Sequence, residues 1–158
     1  MTNTALITGA SAGIGAKFAR YHAAKGGDVI LTARRVKTLN ALKLEFEPAH
    51  KITAHVFAAD LAITGAALKL YQDVTAAGLK VDVLINNAGF GGIGIHTDLP
   101  LDQEFEMIDL NVKALVILTH KFGCNMAASV VVKSSMSAPP LALCRGQINP
   151  SISPPKHS

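Results

Sequence analysis

Thr8-Gly9-Ala10-Ser11-Ala12-Gly13-Ile14-Gly15 follows directly on the apolar run Ala5-Leu6-Ile7. Glycines at 9, 13 and 15 let a strand-to-helix turn come close to a pyrophosphate, while the helix start aims its unpaired amides at the negative charge. The spacing outlines a dinucleotide site; the competing reading is a turn that uses glycine for geometry alone. After a second apolar run stands Thr32-Ala33-Arg34-Arg35. An acidic residue there would bind a free ribose 2′-hydroxyl and repel a 2′-phosphate. Two guanidiniums suit the phosphate, so NADP is favoured over NAD, unless Arg34 and Arg35 only begin a solvated helix. Asp60-Leu61 follows a third run and could hold an adenine amino group through the carboxylate, or serve as a helix cap. Asn86-Asn87-Ala88-Gly89 follows a fourth, Val81 to Ile85, where the asparagines could pin neighbouring strands by side-chain hydrogen bonds.

The elements that must position these residues are legible as an alternation. Apolar runs trade with amphipathic stretches up to about residue 122, the pattern of βαβ units and a parallel sheet, hence an α/β class. Strands are expected at Ala5 to Thr8, Asp28 to Thr32, Ala54 to Ala58 and Val81 to Ile85. Helices are expected at Ile14 to Ala24, Val36 to Phe46 and Gly65 to Ala77, with Gly26-Gly27 and Gly78 as stops. A longer helix should run from Leu101 to Phe122, entered through Thr97, Asp98 and Pro100, with the poor helix former Asn111 inside it.

Bulk composition narrows the function classes. At 158 residues and 49% hydrophobic, the chain holds one domain with a substantial core and is short for an enzyme needing a cofactor half and a substrate half. A net charge of +4 from scattered Lys and Arg, with no Trp, gives no nucleic-acid footprint. The six histidines are dispersed and no metal-ligand spacing occurs, so no metal is expected. Two cysteines, Cys124 and Cys144, and no leader-like start imply a cytoplasmic protein. No apolar run approaches the ~20 residues of a membrane span. From Ser134 onward the texture changes to Ser and Pro, with only Val130-Val131-Val132 resembling a strand nearby. The expected division is a partial NADP-binding domain over 1–128 and an irregular tail over 129–158.

Taken together, Thr8 to Gly15, Asp60-Leu61, Asn86 to Gly89 and Asn111 resemble the short-chain dehydrogenase/reductase family over roughly the first four-fifths of the chain. The resemblance implies a Rossmann-like doubly wound parallel sheet, here incomplete at its C-terminal half. It also implies hydride transfer between NADP(H) and a small-molecule carbonyl or alcohol substrate, in a parent that is a homo-oligomer. By the same resemblance Gly9, Ser11, Gly13, Ile14 and Gly15 line the pyrophosphate, and Asn87, Ala88 and Gly89 the adenosine and ribose side. Asn111 matches the helix asparagine that holds a water in the family's proton relay. The family's chemistry further needs a serine after the fifth strand and a Tyr-x-x-x-Lys on one helix face. A phenol titrates near ~10, and a lysine ammonium beside the nicotinamide's charge must bring it down. Ser134-Ser135 could supply the serine, Ser135 being the weak candidate, but Tyr21 and Tyr71 are the only tyrosines and neither is followed by lysine four positions on. The expectation is a chain without turnover; the alternative is a non-catalytic NADP-binding module.

The abrupt change of texture reads as a shifted frame after about residue 127. With suitable synonymous codons, Lys133 to Ser158 can be re-read by taking the last base of each codon with the first two of the next. The result is ILNVSSTAGFMPGPNQSIYFATKAF, which contains a strand, a serine pair and Tyr-x-x-x-Lys. The tyrosine codon falls across Ser151 and Ile152, the lysine codon across Pro155 and Lys156. A chain that stops in this way leaves the helix carrying Leu110, Val112, Leu115, Val116 and Leu118 without neighbours, and poor solubility is expected.

Overall fold

In the computed structural model, residues 3–92, 94, 98–128 and 133–136 are described. The first strand, β1 (Ala5–Thr8), is buried along its whole length, as is β2 (Val29–Ala33). Both lie inside a parallel sheet, where the two faces are covered and continuous apolar runs replace alternation. With β3 (Ala54–Ala58), β4 (Val83–Asn86) and β5 (Lys133–Met136) the order is β3-β2-β1-β4-β5, every pairing parallel. Strand order therefore reverses between β1 and β4, the point at which open α/β sheets hold ligands beyond their C-terminal ends.

Helices α1 (Gly13–Ala24) and α2 (Val36–His50) cover one face, with Ile7, Leu31, Ile85, Ala19, Leu39 and Phe46 in one apolar cluster. The other face carries Leu6, Ile30 and Leu84 against α3 (Ala66–Ala76) and a long C-terminal helical stretch, through Leu70, Val74, Leu118, Phe122 and Met126. Period-2 alternation of odd and even strand residues thus sorts the two cores.

Several boundaries differ from expectation for identifiable reasons. Helix α2 continues past Phe46 through Pro48 to His50 and ends on Lys51 in the left-handed region (φ 54°). A proline so close to the end removes a hydrogen bond without a following helical segment to kink. The stretch expected as one helix from Leu101 to Phe122 is α4 (Leu101–Ile108), a π-helical turn (Asp109–Ala114) and α5 (Leu115–Ala128). Its N-cap is Pro100, whose side chain makes no capping hydrogen bond; Thr97 lies outside the described residues. Asp60 is not the cap of α3, whose N-cap is Gly65; its carboxylate instead closes its own turn by accepting from the Ala62 amide at 3.2 Å. Ser134 and Ser135 stand within β5, beside Leu84 and Ile85, rather than after a strand, and Val130 to Val132 lie outside the described residues. Leu118 is fully buried and Leu110 packs against the second core, whereas Val112 and Val116 are exposed as expected.

Candidate functional site

A cleft of about 900 Å³ opens at the C-terminal ends of β1, β2, β3 and β4. Ten of the positions singled out in the sequence line it: Gly9, Ser11, Gly13, Arg34, Arg35, Asp60, Leu61, Asn87, Ala88 and Gly89. Ile14 and Gly15 are not among the lining residues; Ile14 is exposed on α1, and Gly15 lies behind the loop.

The loop's shape requires glycine at two positions in different ways. Gly9 has φ +65°, and a Cβ there would meet Ala88 Cα at 2.9 Å. A Cβ on Gly15 would stand 2.4 Å from both Asn87 Nδ2 and Gly9 O, so the first helical turn can press against the loop only without a side chain. The N-cap of α1 is Ala12, whose side chain caps nothing, and the helix therefore presents its first-turn amides toward the cleft.

Thr8 organises the junction of the two central strands. Its hydroxyl donates to Ile85 O at 3.4 Å and accepts from the amides of Asn87 at 2.9 Å and Ala88 at 3.0 Å. Asn87 answers by donating Nδ2 to Thr8 O at 3.1 Å and Gly9 O at 3.3 Å. Buried Asn86 donates to Thr119 Oγ1 at 3.0 Å, tying β4 to α5. Asn87 thus pins the end of β4 to β1 and lines the cleft as well, whereas this Asn86 bond joins a strand to a helix.

At the end of β2, Arg35 reaches back over the glycine loop, donating Nη2 to Ser11 Oγ at 3.2 Å. Arg34 points outward, its side chain 76% exposed, with Nη1 3.9 Å from the Asp60 carboxylate. Thr32, on β2 before both, is also a lining residue; its hydroxyl is buried with no hydrogen-bond partner among the described residues. A buried hydroxyl without a partner is costly to the fold.

Asn111 belongs to the π turn and clasps the backbone after β4. Its Nδ2 donates to Phe90 O at 2.7 Å and its Oδ1 accepts from the Phe90 amide at 3.2 Å. Gly89 must be small here, because a Cβ would lie 3.0 Å from Asn111 Oδ1. Ser135 holds a register position beside Ile85, next to the strand carrying Asn86. Neither tyrosine lines the cleft: Tyr21 is 66% exposed on α1 under the Lys25 ammonium, and Tyr71 on α3 packs edge-on against Phe122 at 5.1 Å. Residues that the sequence did not single out help complete the walls, among them Ile63, Phe90, Gln103 and Glu106. The place of Gln103 and Glu106 depends on how α4 packs beside the cleft, which no local pattern encodes.

The family model of the short chain dehydrogenases matches residues 3–140. Sulfoacetaldehyde reductase of Chromohalobacter salexigens is 37% identical over 126 residues, covering 76% of this chain and 47% of that protein. A metagenomic short-chain oxidoreductase solved in complex with NADP is 37% identical, with a TM-score of 0.75 over 84% of this chain and 60% of that one. The Sphingobium yanoikuyae short-chain dehydrogenase solved with NADPH is 28% identical, with a TM-score of 0.79 over 85% and 52% of the two chains. The chain spans about half the length of the curated relatives it matches.

Proposed function

The chain belongs to the short-chain dehydrogenase family of oxidoreductases, and from that premise we propose that the cleft binds NADP(H) and that the chain as written does not turn over a substrate. The single observation carrying the binding half is the cleft itself, where ten expected cofactor positions converge on one wall system around uncapped α1 amides. Gly9, Ser11 and Gly13 hold the pyrophosphate, with Ile14 and Gly15 shaping the turn from behind. Arg35, braced on Ser11, and Arg34 take the 2′-phosphate, Asp60 and Leu61 the adenine, and Asn87 to Gly89 the ribose side. When bound, the nicotinamide supplies a hydride acceptor or donor for a carbonyl–alcohol pair. Asn111 orders the backbone of Phe90 and sits at the position of the family's relay asparagine. From the pair Ser134-Ser135, Ser135 is a weak candidate for the family serine.

No residue of the sequence supplies the tuned phenol, and loss of a general acid–base group costs about 10²–10⁴-fold in rate. The parent's function is hydride transfer between NADP(H) and a small-molecule carbonyl or alcohol, as a homo-oligomer in the cytoplasm. The Tyr-x-x-x-Lys of that parent lies in the shifted frame across Ser151 to Lys156, so 1–128 is a partial cofactor domain and 129–158 an out-of-frame tail. Titration of NADPH fluorescence with the purified chain is expected to give micromolar binding, weaker for NADH, with no oxidation by added ketones. Ketone reduction by pure chain would defeat the inactivity reading, and translation of the coding DNA around Ala127 in all frames decides the frame.

A further inference from the structure

Two walls of the cleft are tied to the same π turn by side chains two residues apart. One wall, Asp60 to Ile63, is followed by Thr64, whose hydroxyl donates to Asp109 Oδ2 at 3.0 Å. The opposite wall, Asn87 to Phe90, ends in the two-point clasp of Asn111 on the Phe90 backbone. Residues i and i+2 of a helix reach to different sides, so Asp109 and Asn111 serve one loop each. Asp109 is itself braced by the Lys113 ammonium in an ion pair. With the Lys113 and Thr64 donors lowering it from the usual carboxylate value, its carboxyl stays an anionic acceptor throughout the neutral range. The turn that carries both ties departs from α-helical pairing, which is common where a helix is shaped around a site.

We propose that Thr64 and Asp109 are positioning residues for the cleft: with the Asn111 clasp, their hydrogen bond moors both walls to one π turn and sets the gap a dinucleotide enters. Naming the ligand rests on the NADP(H) reading above; the mooring itself does not. Thr64 is exposed and Val has nearly its shape, so Thr64→Val removes the tie without disturbing either apolar cluster. In the free chain, hydrogen–deuterium exchange of Thr64→Val is expected to rise severalfold in both 60–64 and 87–91, with β1 and β2 unchanged, and Thr64→Ser restores the parent rates. A rise confined to 60–64, or none, overturns the mooring. NADPH dissociation constants give the second readout: about fivefold weaker for Thr64→Val, the typical net worth of one hydrogen bond, and unchanged for Thr64→Ser. Equal affinity in all three proteins overturns the claim that the tie sets the gap. An unaltered chain that does not bind NADPH removes the dinucleotide reading, and the exchange rates then decide the mooring by themselves.

Discussion

Thr8 shows how one hydroxyl can hold a site together. It is the acceptor for two consecutive amides, Asn87 and Ala88, in a buried setting. Thr8→Val keeps the shape and strands both donors, which should destabilise the fold by about 1–3 kcal/mol; denaturant unfolding measures it. Gly15→Ala tests the loop from the other side. Because the nearest atoms to the new methyl are Gly9 O and Asn87 Nδ2 at 2.4 Å, the helix start must move off the loop. NADPH affinity should fall by at least tenfold, and an unchanged dissociation constant would show that the loop yields without consequence. The two arginines should separate in the same titration. Arg35 is already braced over the loop by Ser11 while Arg34 shares its charge with Asp60, so Arg35→Ala should erase more of the preference for NADPH over NADH than Arg34→Ala.

Between the sheet and the cleft, the π turn is the element with the most specific consequence. Asp109 has its carboxyl lowered by the Lys113 donor first and Thr64 second, from an ordinary value of 3.8. A depressed folded-state value means the unfolded chain takes up the proton first as pH falls. The stabilisation is therefore present above about pH 4 and is lost as pH drops through the lower folded value. Thermal midpoints of Asp109→Asn and the unaltered chain should differ at pH 7 and converge toward pH 3; a constant difference would place the effect elsewhere. This element also marks the limit of what the residues disclose locally. β1 and β2 are readable because strands buried on both faces become apolar runs, and the glycine loop because a close backbone approach tolerates no side chain. Asn111 signals a disturbed helix, but the widened turn depends on Phe90, 21 residues away, and on Thr64, 45 residues from Asp109. Gln103 and Glu106 likewise reach the cleft only through tertiary placement of α4.

For the molecule as a whole, the decisive feature is an apolar face left exposed among the described residues. Leu101, Phe105, Ile108, Val112 and Val116 are between 46% and 62% exposed, and their spacing of three or four residues puts them on one side of α4, the π turn and α5. The opposite side of the same helices carries Ala114, Leu118, Phe122 and Met126 into the core. Apolar burial is worth about 25 cal/mol per Å², so a stripe of five large side chains favours covering this face, and a contiguous patch of this kind marks association or aggregation. Among the described residues no helix is long and apolar enough to cross a membrane, so the stripe is not part of a helical span. The expected outcome is concentration-dependent self-association of the chain at micromolar levels in sedimentation velocity. Phe105→Glu combined with Val112→Glu should shift the protein to monomer. It should change unfolding free energy by only about 0.5 kcal/mol per site, as is usual for surface positions that support no buried neighbour. If the unaltered chain sediments as a monomer across that range and melts sharply, the face is tolerated as it stands. If the double variant unfolds instead of dispersing, these side chains belong to the core, and the exposed stripe is not what drives association.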